Sequence, residues 1–149
     1  MSLLSRILGA PLSPEDRDAV FARVAQQVPR ENVLEFFRSG AEHNTAKSGA
    51  LLGAQGIFVV VDVFALDHSW PKGPVLAAMF VMLLGSLIVM VNLRGTLSPF
   101  MFSGKRAPAD AARGTFELVL VRSIRFNIAL YLTFLSILLL AAAALTFVG

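Results

Sequence analysis

Three blocks of apolar residues, separated by polar segments, dominate the pattern of the chain. The blocks cover residues 48–66, 74–93 and 126–148, and only the first contains a charged residue, Asp62. A helix needs roughly 20 apolar residues to cross the ~30 Å hydrocarbon core of a bilayer. The pattern therefore predicts an all-α integral membrane protein, with three transmembrane helices in a membrane domain that covers residues 48–149.

The first 47 residues show two shorter helical patterns. Ser13 is suited to cap a helix that has Pro14 in its first turn, and Pro29 ends or kinks that helix. A second helix is predicted to start near Arg30, and nothing obliges it to stop before the end of the first apolar block. We expect the first membrane helix to extend into the cytoplasm, where residues 1–47 form a helical hairpin. The alternative is that the apolar stripe of this segment binds another copy or another protein.

The lysine and arginine residues predict the orientation. Residues 1–47 contain six of them, residues 67–73 contain one, and residues 94–125 contain six. Cytoplasmic connections carry an excess of Lys and Arg. The N-terminus is therefore predicted to be cytoplasmic and the C-terminus to be outside, with spans one and two joined by a tight outer turn in which Trp70 is an interfacial anchor.

Composition narrows the function classes. Hydrophobic residues make up 56% of the chain and charged residues 15%, against about 25% charged in a soluble domain. The net charge of +3 comes from basic residues that flank the apolar blocks, which does not favour a nucleic-acid polymer as partner. Cysteine is absent and the two histidines, His43 and His68, flank the first block, so no metal site is expected. No nucleotide-binding loop or catalytic motif is present, so neither an enzyme nor a cofactor is expected, and an enzyme acting on lipid is the weakest hypothesis.

Asp62 is the most informative single residue. A carboxylate inside a membrane span is costly and is often functional. Its place four residues from the outer end of span one leaves two interpretations open. It is either a structural residue that reaches headgroups, Lys72 or a neighbouring span, or it acts in a pore, a gate or proton transfer.

Small residues line the inner half of span one. Gly49 and Gly53 are four residues apart, and Ala50 and Ala54 repeat this spacing. Such a surface lets helix backbones approach closely, which makes these four residues candidates for helix packing or gating, together with Asp62. Interhelical hydrogen bonds are expected from three amides: Gln55, Asn92 and Asn127.

His43, Asn44 and Lys47 lie within little more than one helical turn at the predicted inner surface. They are candidates for contact with an anionic ligand or with lipid headgroups. A solvated helix surface is the alternative.

The stretch "EHNTAKSGALLGAQGIFVVV" resembles the start of the small membrane effectors of bacterial cyclic-pyrimidine anti-phage signalling, the Pycsar effector domain. In those proteins a cytoplasmic helix enters span one through a pattern like D-x-K-A-x-x-L-L-x-x-x-x-G, and a proline follows span two. The counterparts here are Asn44 in place of the acid, Lys47, Ser48, Leu51 or Leu52, Gly53 or Gly56, and Pro99. The resemblance covers roughly residues 35–149.

This resemblance implies a protein of the bacterial inner membrane that forms homo-oligomers on a signal and disrupts the membrane in anti-phage defence. The signal would be an indirect cyclic-nucleotide signal, because the chain is too short for a separate nucleotide-binding domain. The competing hypothesis is an accessory subunit of a larger respiratory or transport complex. Such a subunit would bind other membrane subunits through the small-residue face.

The predicted orientation has a direct test in intact cells. A protease added outside should leave the first forty residues uncut, because they lie in the cytoplasm. The same protease should remove them once the inner membrane is permeabilised, as detected by an antibody against an N-terminal tag. Cleavage in intact cells would contradict the orientation.

Overall fold

The computed structural model describes residues 7–8, 10–11, 13–68, 70–94 and 108–148. In these ranges the chain is helical and contains no strand. The helices are α1 (Pro14–Gln27), α2 (Val33–Asp67), α3 (Lys72–Arg94) and α4 (Pro108–Val148). The all-α class is confirmed.

Helix α1 begins and ends at the predicted signals. The Ser13 side chain accepts a hydrogen bond from the backbone N–H of Asp16, and Pro14 occupies the first turn, where its missing N–H costs nothing. The helix ends at Gln27, just before Pro29. Local chemistry therefore sets both ends of this element.

Helix α2 is one uninterrupted helix of 35 residues, as the sequence predicts. It starts at Val33 rather than near Arg30, because a turn precedes it in which the Asn32 N–H donates to the Pro29 carbonyl at 2.8 Å. Helix α4, with 41 residues, also begins well before the third apolar block. Two of the three long helices thus project beyond the predicted bilayer.

Helices α2, α3 and α4 are each long and apolar enough to cross a membrane. They pack side by side and leave large apolar side chains on the outside of the bundle. The exposed fraction reaches 68% for Ile57, 69% for Phe80 and 67% for Leu138. In water such a surface would aggregate, whereas hydrocarbon solvates it at no cost. The chain is therefore built as a membrane protein.

The bundle has two distinguishable ends. At the distal end a turn joins α2 to α3, and Trp70 stacks on Phe147 of α4 with ring centroids 5.7 Å apart. At the proximal end α2 and α4 continue past the membrane blocks. The predicted orientation places the proximal end in the cytoplasm.

An aromatic cluster joins the parts of the helices that project at the proximal end. Phe21 of α1, Phe37 of α2 and Phe116 of α4 contact one another, with ring centroids 5.3–5.7 Å apart. Val33 and Ala112 are buried beside them. The apolar stripe of α2 is thus covered by α1 and by the first turns of α4. The sequence pattern suggested only α1 as an intrachain partner.

Two ion pairs fix α1 against α4 above this cluster. Arg17 contacts Glu117 at 3.3 Å, and Arg113 contacts Asp18. All four side chains are at least 30% exposed, so each pair contributes at most about 1 kcal/mol. The aromatic cluster is the main source of cohesion there.

Adjacent phenylalanines offer a matched test of this cluster. Phe37→Ala should lower the free energy of unfolding of the proximal helices by about 3–5 kcal/mol, because it removes a buried ring. Phe36→Ala should have a much smaller effect, because Phe36 is 53% exposed and its ring touches only the edge of the cluster, at Phe37. Hydrogen exchange of α1 amides in detergent measures the difference. Equal effects of the two substitutions would refute the assignment of the cluster.

Candidate functional site

The buried positions of the three membrane helices recur every seven residues. In α2 they include Ser48, Gln55 and Asp62, in α3 they include Ala78, Gly85 and Asn92, and in α4 they include Arg122, Ala129 and Ser136. A seven-residue repeat is typical of helices that wrap round one another with side chains interlocked. Each helix thereby contributes polar groups to a shared polar interior, defined here as Ser48, Gln55, Asp62, Ser86, Asn92, Arg122, Thr133 and Ser136.

Gln55 connects all three membrane helices near the middle of the bundle. Its Nε2 donates to the hydroxyl of Thr133 on α4 at 2.8 Å, and its Oε1 accepts from Ser86 on α3 at 3.0 Å. The Thr133 hydroxyl in turn donates a hydrogen bond to the Ala129 carbonyl at 2.8 Å. The Gln55 side chain has no exposed surface. The expected interhelical role of Gln55 is confirmed.

Gly85 makes room for this amide. A methyl group at position 85 would lie 3.1 Å from Gln55 Nε2 and 3.4 Å from the Ala129 carbonyl oxygen. Any larger side chain would separate α3 from the other two helices. The glycine is needed here because of a close approach between helices.

The proximal layer lies one heptad away from Gln55. Asn92 donates to the Ser48 hydroxyl at 3.1 Å and to the Arg122 backbone carbonyl at 3.3 Å. This layer again connects α2, α3 and α4, which confirms the expected role of Asn92. The third expected amide, Asn127, instead donates to the carbonyl of Leu8 in the segment before α1.

Asp62 lies one heptad from Gln55 in the distal direction. Its side chain is fully buried, and both carboxylate oxygens lack a hydrogen-bond partner in the structure. The seven-residue register places it level with Ala78 and Ser136, but the Ser136 hydroxyl already donates to the Ala78 carbonyl at 2.7 Å. Lys72 is exposed at the start of α3. The structure therefore shows none of the structural pairings suggested by the sequence, and it leaves the carboxyl group unsatisfied.

Arg122 is a buried cation that the sequence pattern does not single out. Sequence reasoning treats it as a determinant of orientation, yet its side chain is 3% exposed. One guanidinium nitrogen contacts the Thr45 hydroxyl at 3.4 Å, and the other two, Nε and Nη2, have no partner. The only sequence signal for this burial is its seven-residue spacing from Ala129 and Ser136.

The small residues of α2 face away from the polar interior. Gly49, Gly53 and Gly56 are exposed, and a methyl group added at any of them meets no atom within 4 Å. They fall within about 60° of one another round the helix. Ala50 and Ala54 are also exposed, on the neighbouring strip. The predicted packing face is therefore not used within the described part of this chain.

The predicted ligand residues at the proximal end do not converge. His43 and Lys47 are exposed, whereas the Asn44 side chain donates to the Val119 carbonyl of α4 at 3.4 Å. Asn44 thus contributes to packing between α2 and α4. Pro99, which the resemblance includes, lies outside the described residues.

Comparison of the chain with family models, with curated proteins and with solved structures found no match in any of the three. The resemblance to the Pycsar effectors therefore stays a prediction.

Removal of the unpaired charge tests the description of Asp62. Asp62→Asn keeps the side-chain shape and should raise the free energy of unfolding in detergent at neutral pH by up to about 3 kcal/mol, the cost of an intramembrane carboxylate on insertion scales. Asp67→Asn, at the exposed end of the same helix, should leave it unchanged. Thermal unfolding followed by circular dichroism measures both. A loss of stability in Asp62→Asn alone would show that the carboxylate has a partner.

Proposed function

We propose that the protein is a small effector of the bacterial inner membrane, which self-associates on a signal and breaks the permeability barrier in anti-phage defence. The observation that carries the proposal is the polar interior, and Asp62 above all. An intramembrane carboxyl group without a partner in the described structure favours a function in which water enters the bundle over one of packing alone.

The polar interior makes opening of the bundle less costly. In the closed bundle, Ser48, Gln55 and Asn92 take part in hydrogen bonds between helices. When the helices separate, water can replace these hydrogen bonds. An apolar interior would have no such substitute. The unsatisfied oxygens of Asp62 gain hydrogen bonds on hydration. These groups favour an open, hydrated state over separation into dry lipid.

The exposed glycine strip supports self-association. Gly49, Gly53 and Gly56 present backbone to the lipid, and small residues at this spacing let two helices approach closely. The aromatic cluster at the proximal end buries the apolar stripe of α2 against other parts of the same chain. The membrane surface of α2, rather than its projecting part, is thus the better surface for assembly.

Two leucine substitutions test the assembly surface, one at a glycine on that surface and one at an alanine elsewhere as the control. Gly53→Leu should convert the oligomer to a monomer and abolish the loss of membrane potential on overproduction, because it separates the helix backbones. Ala77→Leu places the same side chain on the exposed surface of α3 and should change neither property. Mass measurement of the intact assembly in mild detergent and a potential-sensitive dye provide the two readouts.

The same experiment separates the effector from the accessory subunit. Stoichiometric copurification with other membrane proteins, without toxicity on overproduction, would favour the subunit. A strict monomer of the wild-type protein would count against both hypotheses.

A further inference from the structure

The guanidinium group of Arg122 is the least satisfied charged group at the proximal end of the bundle. It lies beside Thr45 of α2, and the backbone carbonyl of the same residue accepts a hydrogen bond from Asn92 of α3, so three helices meet at this residue. Two of its three nitrogens lack an acceptor although the side chain is 97% buried. A buried cation is normally paired with an anion or with several acceptors.

Among the described residues, no acidic side chain forms an ion pair with it. Glu117, five residues earlier on α4, is bound to Arg17. The neighbouring charge that acts on Arg122 is that of another cation, Arg125. The described surroundings of Arg122 therefore have a net positive charge and unused donors.

Within the described residues, the guanidinium group of Arg122 makes one hydrogen bond, which is long at 3.4 Å and leaves Nε and Nη2 free. The Thr45 hydroxyl donates a hydrogen bond to the Ala41 carbonyl oxygen, 3.0 Å away. The Thr45 oxygen can therefore only accept a hydrogen bond from Arg122. The free pair, Nε and Nη2, is the edge of the guanidinium group that binds two oxygens of one phosphate at once. A single carbonyl cannot satisfy both nitrogens.

The level of Arg122 in the membrane indicates what reaches it. Arg122 lies four residues before the third apolar block, which is roughly 6 Å along the helix axis. Ser48, at the same layer, is the first residue of the first block. The site is thus at the level of the lipid headgroups, where phosphates are concentrated.

We propose that Arg122 is the centre of an anion site that takes a phosphate group, with Nε and Nη2 donating to two of its oxygens. In the closed bundle both nitrogens are buried, so the proposal requires that binding make the guanidinium group accessible to the phosphate. The phosphate comes either from a lipid headgroup or from a soluble phosphate compound. The site is independent of self-association, so its failure and the failure of the proposed function are distinguishable.

The test uses the full-length protein, delipidated in a maltoside detergent that contains no phosphate. Phosphatidylglycerol, inorganic phosphate and diacylglycerol are titrated separately. Native mass spectrometry counts the bound molecules, and the thermal midpoint reports stabilisation. Saturable binding of phosphatidylglycerol, but not of diacylglycerol, is expected if the source is lipid. Competition by inorganic phosphate at millimolar concentration would identify the soluble source.

Arginine variants then locate the site. Arg122→Gln should weaken binding about tenfold or more, because it removes charge-assisted hydrogen bonds. Arg94→Gln, an exposed arginine at the proximal end of α3, should bind as the wild type does. Equal binding by Arg122→Gln and wild type would overturn the proposal, as would the absence of any phosphate-dependent binding.

A conservative variant covers the case in which Arg122→Gln does not fold. Arg122→Lys keeps the charge but loses the fork, so it should fold and bind phosphatidylglycerol several-fold more weakly than wild type. Wild-type affinity in Arg122→Lys would show that charge alone attracts the lipid, and it would overturn the two-nitrogen site.

Discussion

The three-way hydrogen bonding of Gln55 is the interaction on which the arrangement of the membrane helices depends. Lipid solvates apolar side chains as well as a protein interior does, so apolar burial gives these helices little reason to associate in one register. A buried amide is different, because it has to find its donors and acceptors inside the bundle. Thr133 and Ser86 satisfy it only when α3 and α4 take one position along α2.

Gly85 and Asn92 extend the same constraint along the bundle. The glycine lets α3 approach until the amide is in reach, and the asparagine repeats the three-helix contact one heptad away. Specific positions of a few polar groups, rather than the total apolar area, thus define the fold. The same bundle buries the Asp62 carboxyl group completely and gives it no hydrogen-bond partner among the described residues.

The sequence predicts the helices of this protein well, because bilayer thickness and helix-ending residues act locally. Ser13, Pro14 and Pro29 mark α1, and block length marks the membrane helices. The facing of side chains is harder to predict from sequence alone. From sequence alone, Gly49 and Gly53 look like a packing face. In the structure the buried face of α2 is the one that carries Gln55, and the two glycines lie on the exposed side. Hydropathy averages over all directions round a helix, so it carries no information on facing.

The site was predictable only in part, for the same reason. Asp62 stands out because a charge within an apolar block is rare, whereas Arg122 sits in a segment that already contains other basic residues. Its burial depends on where α2 and α3 end beside α4, which is a long-range property. The sequence predicts that Asn44 contacts a ligand, but its side chain donates a hydrogen bond to the backbone carbonyl of Val119, 75 residues later on α4.

Helix α4 runs without interruption from the proximal to the distal end of the bundle, so it can act as a lever. A straight helix of 41 residues is about 60 Å long, at 1.5 Å per residue. Tilting it by about 5° about one tip moves the other tip by about 5 Å, the height of one helical turn. A displacement of the ring stack of Phe21, Phe37 and Phe116 that tilts α4 would therefore also move Phe147 against Trp70 at the opposite end.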